Sequence, residues 1–189
     1  MCCASRTGAT HRLSPSEISL SFSADRGKSW SNYHIAVRGD IAREIDVRNP
    51  TLGQSADGQL VLGYGIVEGF GPNNVGVEQH KPWMEVIRSV DDGITWSKPV
   101  KVPAPAGTTL SPHGQMRTLA DGTLVFNARG SHDLRRYAAD PGLPIRISYL
   151  YRSYDGGQTW AEPTAIGDGT SETGFLALDD TNWVAYVRH

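Results

Sequence analysis

Short runs of Val, Leu, Ile, Tyr and Phe recur along the chain, each set off by polar, glycine-containing turns. ADGQLVLGYG starts at Ala56, ADGTLVFNAR at Ala120, and LDDTNWVAYVR, from Leu178, repeats the theme without the glycine. An Ala-Asp-Gly tripeptide suits a hairpin turn, because Asp and Gly tolerate the positive φ of tight turns. The runs that follow have the composition of strands. PWMEVIRS, from Pro82, and RISYLYRS, from Arg146, read as strands as well. No long stretch carries a 3.6-residue apolar period, so the pattern predicts an all-β chain with few helices.

Each of these last two strands leads into a second recurring element. SVDDGITW spans 89–96 and SYDGGQTW spans 153–160, and SADRGKSW at 23–30 is an earlier copy. Asp25, Asp91 and Asp155 lie 66 and 64 residues apart, and the two Ala-Asp-Gly turns are also 64 apart. A fixed period of this kind marks repeated structural units. The local chemistry of the octapeptide fits a fold staple. Its Asp accepts hydrogen bonds from nearby backbone N–H groups. Its Gly reaches a conformation that strains other residues, its Ser or Thr joins the network, and its Trp supplies apolar surface for packing.

Composition narrows the function classes. With 189 residues, 39% hydrophobic and 20% charged, the chain has an ordinary globular make-up. A net charge of −2 gives no global reason to expect nucleic acid or an anionic membrane as partner. No apolar run is long enough to span a bilayer, and MCCASRTGATHRLSPSE lacks the apolar stretch of a secretory signal. Either the protein stays inside the cell or its true N-terminus precedes this chain, so the compartment is open. Cys2 and Cys3 are adjacent and make neither a disulfide framework nor a zinc motif. Residues 1–15 match nothing in the repeat and stay unassigned, with the repeated domain at 16–189.

The three octapeptides resemble the Asp-boxes, or BNR repeats, of the sialidase (neuraminidase) superfamily. The resemblance implies a β-propeller, six-bladed when complete, of which about three blades fall in this chain. It also implies a sialidase-like glycoside hydrolase that acts on a terminal sialic acid or a related acidic sugar. No metal or organic cofactor is implied.

Three segments outside the boxes extend the likeness. VRNPT resembles the Arg-x-Pro segment of the family, whose arginine belongs to a triad that grips the substrate carboxylate. Arg48 matches it, and arginine suits the task because its planar fork pairs with two carboxylate oxygens. Pairing with Asp46 or Glu44 is the plain alternative. SPHGQMRTLADGTLVF resembles a Ser-Pro-His-Gly stretch of sialidase-like sequences, which implies a His113 that faces the cleft and touches substrate; a turn histidine satisfied by its own backbone is the plain alternative. SETGFLALDDTNWVAYVRH resembles the family segment in which a Glu precedes a strand pair and an Arg follows. Glu172 and Arg188 are the matching residues, and a hairpin between them returns both to one end. A cross-strand salt bridge is the plain reading of that pair.

The chain also departs from the family. Sialidases use a Tyr nucleophile, which works only beside a carboxylate that takes its proton. Tyr186 does not match that motif, and no nucleophile is carried over. The acid/base Asp has no counterpart between Arg48 and Ser89, where Asp57 belongs to a turn. Glu78 is the candidate in its place, with Glu68 the other carboxylate of that loop. DLRRYAADPG, with Asp133, Arg135, Arg136 and Asp140, reads as a solvated charged loop. A half-propeller would expose blade edges, so the chain is expected to be a fragment or to self-associate through them. The rival reading is a non-catalytic BNR propeller that binds glycans or proteins; a neutral-sugar hydrolase would leave the arginines without a carboxylate.

Overall fold

A computed structural model describes residues 2–6, 16–68, 81–132, 146–179 and 181–189. Among them there is no helix, and the thirteen strands form three sheets and a hairpin. The first sheet holds β1 (Cys2–Arg6), β2 (Ser16–Leu20) and β3 (His34–Arg38) in that order. The second is an antiparallel meander of β4 (Ile45–Gln54), β5 (Leu60–Glu68), β6 (Lys81–Ser89) and β7 (Val100–Lys101). The third repeats it with β8 (Thr108–Thr118), β9 (Leu124–His132), β10 (Arg146–Ser153) and β11 (Thr164–Asp168). The chain closes with the pair β12 (Thr173–Ala177) and β13 (Trp183–Val187). The initial segment, unassigned from sequence, thus contributes β1, which pairs with β2.

The predicted turns fall where the sequence puts them. Gly58 and Gly122 sit at φ 89° and 86° in the β4–β5 and β8–β9 turns. Asp57 is bound by Ser55 Oγ, as a turn residue should be. At the third hairpin Asp179, in the place of Asp57 and Asp121, accepts the Thr181 and Asn182 N–H groups at 2.8 and 2.7 Å.

Each box joins two neighbouring strands, β2 to β3, β6 to β7 and β10 to β11. The bonding repeats almost atom for atom. In the second box Ser89 Oγ accepts the Gly93 N–H at 2.8 Å and donates to Asp91 at 2.7 Å. Asp91 accepts the Thr95 N–H and hydroxyl at 2.8 and 2.6 Å. Thr95 hydrogen bonds hold the Asp91 carboxyl at about 2, and Ser29 does the same for Asp25.

The boxes also fasten one sheet to the next. A Cβ on Gly93 would lie 2.9 Å from Leu20 in the first sheet, and one on Gly157 2.9 Å from Val61 in the second. Glycine is required there twice over, by contact and by φ of 84° and 86°. This docking explains why the box tryptophans differ. Trp160 is 7% exposed, whereas Trp30, expected to pack inward, is 44% exposed; a Cβ on Gly27 would meet only Trp30 itself.

Two cores alternate with the sheets. Leu62, Tyr64 and Ile66 of β5 meet Ile18 of the first sheet, and the opposite face places Val61 with Phe126, Tyr151 and Trp160 of the third. Phe126 stacks on Tyr151 at 5.2 Å and meets Trp160 edge-on at 4.6 Å. On the far face of the third sheet, Val125 and Leu150 pack on Phe175 of β12.

Candidate functional site

β9 decides what lies between the third sheet and the β12–β13 hairpin. Alternate residues of a strand share a face, so Val125, Asn127 and Arg129 point the same way. Asn127 is opposite His113 of β8, and Arg129 is opposite Ser111 of β8 and Ser148 of β10. The face is therefore apolar at one end, around Val125 and Phe175, and polar at the other. Two cavities of about 470 and 530 Å³ lie at the apolar end, lined by Leu119, Phe175 and Trp183, and none of the candidate residues lines them.

At the polar end, buried hydroxyls seat residues 170–173. Ser148 Oγ donates to the Ser171 carbonyl at 3.1 Å and receives the Thr170 hydroxyl at 2.9 Å. The Asn127 amide bonds the Thr173 carbonyl. Between Ser171 and Thr173 stands Glu172. The Arg188 N–H donates to the Glu172 carbonyl at 3.0 Å, and Arg188 Nη1 donates to Glu172 Oε2 at 2.6 Å. The hairpin thus brings these two residues together as the spacing requires, and they form the cross-strand pair. Their side chains are 49% and 70% exposed, so the pair faces solvent. The Arg188 hydrogen bond and charge hold the Glu172 carboxyl below its ordinary range.

His113 lies on β8, immediately before a bulge in which Gly114 takes φ +75°. Bulges of this kind re-aim side chains. His113 Nε2 is buried without a hydrogen-bond partner. Burial pushes the His113 imidazole down, and Arg129 pushes further, while Glu172 pulls the other way. Because the folded value is below 6.5, the unfolded chain takes up this proton first. The stability is complete above that value and is lost as the pH falls through the folded one. Urea unfolding near pH 8 and near pH 5 is expected to show His113→Gln losing less stability than the unchanged protein. Parallel losses would remove His113 from the balance.

Arg48 occupies the corresponding place on β4, again beside a bulge, where Asn49 takes φ 48°. Its Nε donates to Asp46, which is fully buried and also accepts the Ser16 N–H at 3.0 Å. The pairing with Asp46 is therefore present, and it fixes Arg48 on the strand rather than leaving it at the surface. β4 and β8 are joined at this level by the Asn49 amide, which donates to Ser111 Oγ at 2.6 Å.

Arg129 is the residue that sequence reasoning missed. It interacts electrostatically with Glu172, His113 and Arg146. A signal existed: aligning the two Ala-Asp-Gly segments sets Asn127 and Arg129 against Gly63 and Gly65. Glu78, like the loop with Asp133, Arg135, Arg136 and Asp140, lies outside the described residues. Glu68 is the exposed last residue of β5. Among the described residues no tyrosine hydroxyl bonds Glu172. Among the described residues the tyrosine on a carboxylate is Tyr64, 3.2 Å from Glu85. Burial, then the Glu85 charge, raises its pKa, the reverse of what a nucleophile needs. Tyr186 is 76% exposed on β13. No group of His, Cys, Asp and Glu able to hold a metal occurs among the described residues.

The family model of the BNR repeat-like domain matches residues 3–188. The chain belongs to that family. A comparison with curated protein sequences finds no match. Among solved structures, this BNR protein is similar to the Hadza microbial sialidase Hz136, with 23% identity and a TM-score of 0.72, over 92% of this chain and 36% of that one. It is similar to the NanB sialidase from Streptococcus pneumoniae, with 15% identity and a TM-score of 0.71, over 98% of this chain and 45% of that one. An ulvan lyase, a polysaccharide lyase, matches with 14% identity and a TM-score of 0.58, over 89% of this chain and 43% of that one. The BNR chain thus spans about a third to a half of these structures, and the likeness is one of fold.

Proposed function

We propose that this BNR chain is part of a sialidase-like glycoside hydrolase on a six-bladed β-propeller, of which the three sheets are blades and the β12–β13 hairpin begins another. Its substrate is the terminal sialic acid, or a related acidic sugar, of a glycoconjugate. The observation that carries this reading is the Glu172–Arg188 pair, held at 2.6 Å at the polar end of the face that also bears His113. Arg48 and Arg188 clamp the carboxylate, each supplying a permanently charged planar fork. Glu172 is the carboxylate proposed to draw the proton from a tyrosine nucleophile that the described residues do not supply; Arg188 keeps it ionised but lowers its basicity, so Arg188 must turn to the substrate for Glu172 to act. Glu78 is the proposed proton donor to the leaving oxygen. Arg48→Ala and Arg188→Ala are each expected to weaken binding of N-acetylneuraminic acid by about tenfold or more. Calorimetric titration checks this, and unchanged affinity in both variants would remove the carboxylate clamp.

One observation favours the second reading, a non-catalytic glycan-binding propeller: the Glu172 carboxylate is already engaged by Arg188. Release of a fluorescent aglycone from a sialoside separates the two. Tight binding without turnover belongs to the binder.

A further inference from the structure

The arginines matched from sequence are both neutralised in place. Arg48 pairs with Asp46 and Arg188 with Glu172. Arg129 differs. It is half-buried, it has no carboxylate within ion-pair distance among the described residues, and its Nε is buried without a hydrogen-bond partner. A structural arginine at this depth would be expected to find an acceptor, since a buried N–H of a charged group left unpaired is costly.

Two neighbours on the same face share the condition. Asn127 is 1% exposed, its amide nitrogen is used by the Thr173 carbonyl, and its Oδ1 is buried without a partner. His113 Nε2 is the third such atom. Cross-strand pairing places Asn127 opposite His113, and Arg129 two residues along the same face. Arg146 adds a second cation, since it is opposite Ser131, two residues beyond Arg129 on the next strand. Gly114 packs against this group: a Cβ there would sit 2.7 Å from Asn127 Oδ1.

We infer that Arg129, with the Asn127 amide oxygen and the His113 imidazole beside it, is the anchor for the anionic group of the bound sugar. This rests on the acidic-sugar reading above and moves the net positive charge of the site from Arg48 and Arg188 to the β9 strand. The donor and acceptor set states what the ligand must offer: an anionic acceptor for the guanidinium and, next to it, a hydroxyl or N–H donor for Asn127. A sugar acid has both groups on one ring.

Calorimetric titration of the full chain with N-acetylneuraminic acid and with its methyl ester tests the assignment. Arg129→Gln is expected to bind the acid about thirtyfold more weakly and the ester unchanged, which narrows the preference for the acid. Arg129→Lys keeps the charge but not the fork and is expected to lose about tenfold. Arg43→Gln, an exposed change of equal charge on another loop, is expected to bind as before. Near-UV circular dichroism reports whether each variant is folded; if Arg129→Gln is not, Arg129→Lys decides alone. Wild-type affinity for the acid in the folded Arg129 variants, with losses in Arg48→Ala and Arg188→Ala, would overturn this inference and leave the proposed function standing. An unchanged protein that does not prefer the acid to the ester would overturn both.

Discussion

Phe126→Ala is expected to destabilise the chain by about 3–5 kcal/mol, measured by urea unfolding followed through tryptophan fluorescence. The ring is fully buried, stacked on Tyr151 and met edge-on by Trp160, so three aromatic surfaces lose contact at once. The site is also where the third box leans on the second sheet, since Val61 touches both Gly157 and this core. Phe126→Leu keeps most of the volume and is expected to cost about 1–2 kcal/mol. Equal losses from the two variants would mean that the void is filled by collapse of the sheets. A loss below about 1 kcal/mol for Phe126→Ala would contradict the docking of the second and third sheets through this core.

Asp46→Ala is expected to be as damaging, at about 3–5 kcal/mol, and to reach the site as well. Asp46 is ion-paired with Arg48, and the same side chain accepts the Ser16 N–H that starts β2. Its removal leaves the buried Ser16 N–H without this acceptor and takes the ion pair with Asp46 from Arg48. Arg48 is then no longer fixed relative to β8, so affinity for the acidic sugar falls together with stability. Asp46→Asn retains an acceptor for Ser16 and is expected to recover part of the stability while still weakening the sugar. Asp46→Asn with unaltered affinity would show that Arg48 needs no such support.

These two residues mark what sequence reading reaches and where it stops. The boxes and Ala-Asp-Gly turns are legible because their bonds are local: Asp91 binds Thr95, four residues on, and Asp57 binds Ser55. Glu172 and Arg188 are legible because a hairpin fixes which residues meet at its mouth. Arg129 is not, although its strand is correctly read from ADGTLVFNAR. Whether Asn127 and Arg129 or Phe126 and Ala128 face the next hairpin depends on how repeat packs on repeat, which the period does not reveal. The same limit applies to the tryptophans. Identical positions in the box give an exposed Trp30 and a buried Trp160, because the neighbouring sheet and not the box decides burial. Asp46 reads only as one of two carboxylates that could pair with Arg48, and its complete burial appears only once β2 is laid against β4.

Recognition of an acidic sugar is expected at the polar end of the β8–β9–β12 face. Calorimetric titration of the unaltered chain with N-acetylneuraminic acid, beside its methyl ester, tests that directly. Saturable binding of the acid, at least about tenfold tighter than the ester and weakened by added salt, is the predicted result. Equal affinity for both, or no binding of either, would contradict it.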